Sequence, residues 1–412
     1  MLNKNNEREL AYVVKIDAIE PIIGCDNCEA AVVGGWRVMV RKETFKPGDL
    51  AIYFEIDSKL PENEVFAFMA KKNYKVKSQR YTFGGKGLMI SQGLLMAPKD
   101  FGWEPHYFTG ADGVHTMIGV FDNNNNEHTA DDESRFLTKL LNVTYADTED
   151  NARKANSADK YKKMAQRNGK LFSKKPFRWL MKRSWGRKLL FLFFGKKKDK
   201  RTWPEWVKKT DEERCQNQPW RFGTGSTQKW IVSEKIDGTS TTATYRIGRK
   251  YGFYICSRNV VFDKPDKKCF YETNVYTEMA EKYKFEEALK DIVKKYHLEW
   301  ATIQGETYGA GIQKRDYSMK DHDFAAFNLI FSDRGRLNSY EAKNILAEYG
   351  IPWVPLIRDD FVLPDTVDEM LAYAEGTSVI DGLPREGFVL RSQDGADSFK
   401  AVSNSFLLKY HG

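Results

Sequence analysis

Cysteine is scarce and scattered in this chain. Five cysteines in 412 residues, an odd number, argue against a disulfide framework and for a reducing compartment, read here as the cytoplasm. Long apolar runs are missing too. No stretch is long enough to span a membrane, and the polar start from Met1 to Glu9 is unlike a signal peptide. No lipidation motif compensates, so membrane attachment is not expected. Cys25 and Cys28 have the spacing of half a zinc site, but Cys215, Cys256 and Cys269 offer no second pair and no histidine has matching spacing. A plain loop is expected there. Charge of one sign does not dominate: 65 Lys+Arg against 57 Asp+Glu leaves +8, compatible with a polyanionic partner without establishing one. What remains is a globular composition, 41% hydrophobic and 14% aromatic, with length for two or three domains.

Residues 1–107 read as an all-β unit. Short apolar or alternating runs recur at Leu10–Ile16, Ala30–Val40, Leu50–Ile56 and Gly87–Met96. Turn signals separate them, such as Gly34-Gly35, Lys46-Pro47-Gly48-Asp49 and Gly84-Gly85. This pattern suits a small barrel of the OB type. Lys72, Lys75, Lys77, Arg80 and Lys86 crowd between two of the runs, with Tyr74, Tyr81 and Phe83 among them. Basic residues interleaved with aromatics suit a nucleic-acid backbone and its bases, and equally an ordinary exposed hairpin.

Residues 108–202 read as a connector. Its first part is polar and acidic, with a short apolar helix expected at Phe136–Leu141. Between Lys170 and Arg201 there are 13 Lys/Arg and one acidic residue, Asp199, interleaved with Phe172, Phe177, Trp179, Trp185 and Leu189–Phe194. Such a segment suits a membrane surface or a nucleic acid. The plainer expectation is a solvated linker whose apolar residues pack on a neighbouring domain.

Residues 203–412 have a mixed pattern. Strands are expected at Thr241–Ile247, Gly252–Cys256, Trp300–Gly305, Phe324–Ile330 and Gly387–Arg391. One amphipathic helix is expected over 273–296 and another at Ser339–Glu348. Within this region lies Lys235-Ile236-Asp237-Gly238, weak on its own. Downstream, in order, come Glu306 beside glycines, Glu386 entering a strand, and Lys400. A lysine with an ordinary pKa of about 10.4 is protonated and a poor nucleophile. Attack on a phosphate requires its ammonium to be destabilised, counter-charge for the polyphosphate, and a cation to hold the leaving group. Asp237, Glu306 and Glu386 are candidate ligands for a hydrated divalent cation, Mg²⁺ or Mn²⁺. Lys400, Lys409, Arg214 and Arg258 are candidate phosphate contacts. Taken singly, each has a plainer reading as turn, loop or surface residue.

The order of these elements resembles the covalent nucleotidyltransferases, the superfamily of polynucleotide ligases and mRNA capping enzymes. Motif I is similar to Lys235–Gly238 and motif Ia to Ser257-Arg258-Asn259. Motif III is similar to Gly305–Gly309, motif IIIa to Phe324–Asn328, motif IV to Glu386–Leu390 and motif V to Ser398–Asn404. Finer features resemble the ATP-dependent RNA ligases with an N-terminal OB domain, a type associated with RNA repair. These are Lys209–Asn217, Pro21–Gly24, Phe45–Leu50 and Phe54–Ser58.

The resemblance implies an α+β chain: an OB-like barrel, then a nucleotidyltransferase domain, ATP-grasp-like, of antiparallel sheets with flanking helices. It implies that Lys235 forms a lysyl–AMP from ATP, that AMP passes to an RNA 5′-phosphate, and that a 3′-OH displaces it. Asp237, Glu306 and Glu386 would act on the metal. Arg214 and Arg258 would contact phosphate, ribose or nick, Phe327 would stack on adenine, and Lys400 would hold the AMP phosphate. Glu234 and Ser240, flanking the motif, join the nucleotide-binding set. Two positions depart from the pattern. Motif V usually carries two lysines, and the first position here is Ser398, so either the register shifts or one lysine serves. Ser240 stands where related RNA ligases often carry Asn. DNA ligases and capping enzymes place an OB domain after motif V, and Gly412 follows Lys400 too soon for one, which favours an RNA ligase. A DNA ligase and a non-catalytic nucleic-acid-binding protein with a decayed transferase domain are the alternatives. RNA is the expected partner, with no protein partner and a monomeric chain.

Overall fold

Two sheets in the C-terminal half of the chain, antiparallel but for one short edge strand, meet at one short turn, residues 236–238, in the computed structural model. The structure describes residues 1–5, 7–83, 87–110, 115–146, 171, 174–194, 202–209, 211–249, 252–258, 260–262 and 274–411. The Gly84-Gly85 turn, Lys86, Thr210, Asn259, Cys269 and most of 147–201 outside 174–194 lie beyond the described residues.

The N-terminal barrel follows from alternation. Along Trp36–Arg41 the inward Trp36, Val38 and Val40 alternate with Arg37, Met39 and Arg41. Leu50–Phe54 is buried on both faces and therefore reads as one apolar run. It pairs antiparallel with Ala11–Lys15 and with Leu94–Met96. Its alternate residues feed two cores. Ala51 and Tyr53 join Tyr12, Trp36 and Val38 on one side. Leu50, Ile52 and Phe54 face the other side, where Trp103, Val120, Leu137 and Val143 cover them. The N-terminal packing unit thus runs on to about Ala146, past the division expected at 107. Residues 108–146, read as connector, bury apolar side chains that close the second face of this sheet. No helix forms at Phe136–Leu141. Instead the Leu137 N–H donates to Ala11 O at 2.8 Å, and Thr138 Oγ1 accepts from Leu10 N at 2.8 Å.

The larger C-terminal sheet has six strands, in the order Val261–Phe262, Phe253–Ser257, Thr239–Arg246, Trp300–Gly309, His322–Phe331, Gly335–Arg336. Helices Val275–Lys282, Phe285–Lys295 and Ser339–Ala347 pack on it through Met279, Phe285, Leu289, Ile292 and Leu346. The single helix expected over 273–296 is two helices. The chain turns between them at Lys284, whose φ of +47° lies in the left-handed region and ends the first helix. The second sheet runs Glu213–Arg214, Ser398–Val402, Gly387–Ser392, Trp230–Lys235, Leu356–Phe361. It is backed by helix Val367–Ala374. The edge strand Leu356–Phe361 carries exposed Arg358, Asp359 and Asp360, a polarity that hides it from an apolar-run reading.

The barrel docks on this second sheet. Val402 and Leu407 belong to the same core as Trp36 and Tyr53. Trp36 Nε1 donates to Asn217 Oδ1 at 2.6 Å, and the Asn217 amide nitrogen donates to Glu55 at 3.0 Å and Glu213 at 2.8 Å. The 209–217 segment is therefore the joint between the domains. Its Glu213–Arg214 pairs parallel with Phe399–Lys400.

Candidate active site

The strand Trp230–Lys235 is buried along its length until Lys235, where the side chain reaches a cleft of about 980 Å³. Strand register assembles what surrounds it. Lys235 pairs with Gly387, which places Glu386 beside it. The chain then turns through Ile236-Asp237-Gly238 into the other sheet, where Ser240 pairs with Glu306. Carboxylates far apart in sequence thereby converge on one lysine. Two glycines permit the approach. A Cβ on Gly238 would lie 2.3 Å from the Thr307 carbonyl oxygen and 2.9 Å from Glu306 Cγ. Gly387 has φ +145°, and a Cβ there would meet Ala401 O at 2.1 Å.

Lys235 Nζ donates to Glu386 Oε1 at 2.6 Å. Burial pushes its ammonium down, but the carboxylates of Glu386 and Glu306 outweigh this and hold it above the ordinary lysine value. Lys235 is thus held protonated, the reverse of the destabilised ammonium that the sequence argument requires. Deprotonation must follow a change in its surroundings. Burial, aided by the Glu386 charge, pushes Asp237 up to about 7 against Lys235 and Arg315. Burial also pushes Glu306 up to about 8, with Glu386 and Asp237 adding to it. The site holds more carboxylate than its cations neutralise. The Asp237 N–H donates to Tyr317 Oη at 2.6 Å, which fixes the turn.

Ten of the eleven residues expected at the site line this one cleft. Glu234 is buried behind Lys235; its Oε2 accepts from the Val379 N–H at 2.9 Å, while its Oε1 has no hydrogen-bond partner. Phe327 is the extra residue at a bulge, where the register jumps from Gln304↔Asn328 to Gly305↔Ala326. Ser240 lies on the cleft wall beside Glu306. Arg214 and Arg258 enter from the joint and from the larger sheet, and Lys400 from the second sheet. Lys409 is not brought to the cleft lining; its ammonium lies 5.0 Å from the centre of the Tyr410 ring.

Sequence reasoning missed Asp211. Its carboxylate takes Lys400 Nζ at 2.8 Å, Arg258 Nη2 at 2.7 Å and Arg8 Nη1 at 3.5 Å. Burial opposes its charge, but these cations hold it well below the usual carboxylate range. Arg8 and Arg391 are the other additions. Arg391 is held by Glu212 at 3.3 Å, lines the cleft and lies 5.9 Å from the Phe327 ring centre. Ser398, at the expected place of a second lysine, does not line the cleft. It donates to Glu212 and accepts from the Arg336 guanidinium at 3.2 Å. Lys75 and Lys77 of the barrel and Lys314 of the C-terminal domain complete the cleft mouth.

Among the described residues, no three His, Cys, Asp or Glu side chains form a ready-made metal cage. The cleft still suits a cation held partly by a substrate. Its donors are hard oxygens, Glu386 Oε2 is buried without a hydrogen-bond partner, and burial together with neighbouring carboxylates pushes Asp237 and Glu306 up. Small divalent cations keep several waters and use one or two carboxylates plus phosphate oxygens. Cys25 and Cys28 are free thiols away from this cleft.

A lysine at a sheet-to-sheet turn, ringed by carboxylates and backed by cations, fits the arrangement that the resemblance to the covalent nucleotidyltransferases implies. The RNA ligase family model matches residues 228–411, and an OB-fold domain model matches residues 10–97. Residues 228–411 thus carry an RNA ligase domain, preceded by an OB-fold domain at residues 10–97. No curated protein matches the chain. Among solved structures it is similar to Naegleria gruberi RNA ligase with pyrophosphate, at 23% identity and TM-score 0.68, covering 98% of this chain and 99% of that one. A mutant of that enzyme with AMP and Mn gives 22% identity and TM-score 0.68, with coverage of 98% and 99%. Another mutant, with ATP and Mn, gives 23% identity and TM-score 0.67, with 98% of each chain covered.

Proposed function

We propose that this RNA ligase uses ATP to join 3′-OH and 5′-phosphate RNA ends or nicks through lysyl–AMP and RNA-adenylate, in RNA repair. The observation that carries the reading is Lys235 Nζ at 2.6 Å from Glu386, in a cleft shared with Asp237, Glu306 and buried phosphate-binding cations. Solved forms of the Naegleria enzyme with pyrophosphate, with AMP and Mn, and with ATP and Mn support it.

Lys235 Nζ attacks the α-phosphorus of ATP. The N–P bond forms, the bond to the bridging oxygen breaks, and pyrophosphate leaves. The stored ammonium first gives one proton to its hydrogen-bond partner Glu386, which frees the Nζ lone pair, and the second proton, shed as the N–P bond forms, leaves to solvent. Asp237, Glu306 and Glu386 would hold Mg²⁺ or Mn²⁺, which when bound neutralises charge on the polyphosphate and the leaving group. Lys400, Arg214 and Arg258 bind phosphate oxygens, and Phe327 stacks on adenine beside Glu234 and Ser240. Lys75, Lys77 and Lys314 at the cleft mouth hold the RNA backbone.

Incubation with α-labelled ATP and Mg²⁺ or Mn²⁺ tests the reading. Label attaches covalently to the wild type and not to Lys235→Ala; attachment to the variant would overturn it. Nicked duplexes with RNA on the 3′-OH side are sealed faster than those with DNA there, and equal rates would argue for a DNA ligase.

A further inference from the structure

The basic-aromatic segment forms its own small unit. Helix Lys175–Met181 packs against helix Ser184–Phe194 around Leu190, and among the described residues the apolar side chains gathered there come from 171–194. The apolar residues expected to pack on a neighbouring domain pack on one another. That leaves a second apolar face unpartnered. Trp185, Leu189, Leu192 and Phe193 are 56%, 42%, 76% and 72% exposed, and their spacing of i, i+4, i+7, i+8 puts them on one side of the helix. Trp179 extends the face, edge-on to Trp185 with ring centres 6.2 Å apart. Arg183 lies 3.6 Å over the Trp179 ring.

Around this stripe the charge has one sign. Residues 174–194 contain Lys174, Lys175, Arg178, Lys182, Arg183, Arg187 and Lys188, and no acidic residue. In the catalytic cleft, by contrast, Lys235 is held by Glu386, and Lys400 and Arg258 by Asp211. A single-stranded RNA uses flat rings as stacking platforms and has no use for neighbouring aliphatic side chains such as Leu189 and Leu192. A bilayer surface uses both. Leu and Phe enter the acyl boundary, Trp sits at headgroup level, and Lys/Arg meet anionic headgroups.

We propose that the 174–194 helical hairpin docks this enzyme, in the plane of the interface, on an anionic phospholipid surface. Neither helix crosses the bilayer; among the described residues no helix is long and apolar enough to do so. The catalytic cleft takes no part in the contact.

The test uses the full chain and sedimentation with vesicles of phosphatidylcholine alone or with one third phosphatidylserine. The wild type partitions onto the anionic vesicles and not the neutral ones, and added salt weakens the binding. The double variant Leu192→Glu/Phe193→Glu loses at least about tenfold in vesicle partition, by loss of apolar burial. Its covalent labelling by ATP stays at the wild-type rate, which separates this test from failure of folding or of the ligase reading. Lys182→Gln/Arg183→Gln serves as the second, milder variant and weakens binding to anionic vesicles alone. Wild-type protein that ignores anionic vesicles overturns the proposal. So does a Leu192→Glu/Phe193→Glu variant that loses nicked-RNA affinity and keeps vesicle binding, which would assign the hairpin to RNA.

Discussion

The cations of the cleft and those of the helical hairpin are the same residue types in opposite circumstances. In the cleft four of them are aimed by a carboxylate, Lys235 by Glu386, Lys400 and Arg258 by Asp211, and Arg391 by Glu212, and of these Lys400 and Arg391 are buried. In the hairpin Lys174, Lys175, Arg178, Lys182, Arg183 and Lys188 are exposed, and residues 174–194 contain no acid. Taking a charge from water is costly, so a buried cation needs a partner even before its ligand arrives. The partner also fixes where the cation points. A solvated cation needs no such partner and contributes by long-range attraction, which salt screens. Pre-arranged pairs suit chemistry at one phosphorus atom. Unmatched charge beside exposed rings suits a broad, featureless surface.

Substitutions in the cleft separate these two behaviours most strongly. Lys235→Ala removes the nucleophile, and covalent labelling falls by on the order of 10⁴-fold or more in single-turnover assays. Lys400→Ala removes one donor from the phosphate site and slows labelling by about 10²-fold. That lysine also has a pH signature. Burial holds it down to about 8, against Asp211 and with help from Arg8 and Arg214. Its charge is complete below that value and is lost as pH rises through it. The KM for ATP therefore climbs on the alkaline side, and Lys400→Arg flattens that climb because a guanidinium stays charged.

At the domain joint the expected effect is smaller and falls on a different step. Asn217→Ala leaves Trp36 Nε1 without its acceptor and removes one donor each from Glu55 and Glu213, and costs about 2 kcal/mol in a denaturant melt. Because Arg8, Lys75 and Lys77 reach the cleft from the barrel side, nick sealing drops more than self-labelling. Equal losses would mean that the barrel merely supports the fold. In the hairpin, Lys182→Gln/Arg183→Gln changes stability by under about 0.5 kcal/mol and leaves self-labelling unchanged. A large loss there would erase the distinction between the two sets of cations.

Much of this site was legible as sequence. Lys235, Asp237 and Gly238 are local, and their two-residue spacing survives as a strand end and a turn. Glu306 and Glu386 were legible through their glycines, which mark close backbone approaches. Asp211 was not legible. Its partners Arg258, Lys400 and Arg8 are 47, 189 and 203 residues away, and nothing in their spacing announces a shared carboxylate. Phe136–Leu141 misled for a related reason. Its apolar residues cover the sheet of Ala11–Lys15 and Leu50–Phe54, and apolar content alone does not tell a helix face from a covering loop.

The chain by itself determined the β-rich barrel, the mixed C-terminal half, the motif lysine and the order of the residues that serve it. These rest on periodicity, turn residues and short spacings, all set within a few residues. The folded chain alone decided that residues 108–146 complete the barrel's packing and that Lys235 is stored as an ammonium on Glu386. It also decided that Ser398 turns from the cleft towards Glu212 and Arg336, and that the stripe from Trp185 to Phe193 stays uncovered. Each depends on which distant group comes near, through strand register and sheet docking, and local sequence carries no record of that distance.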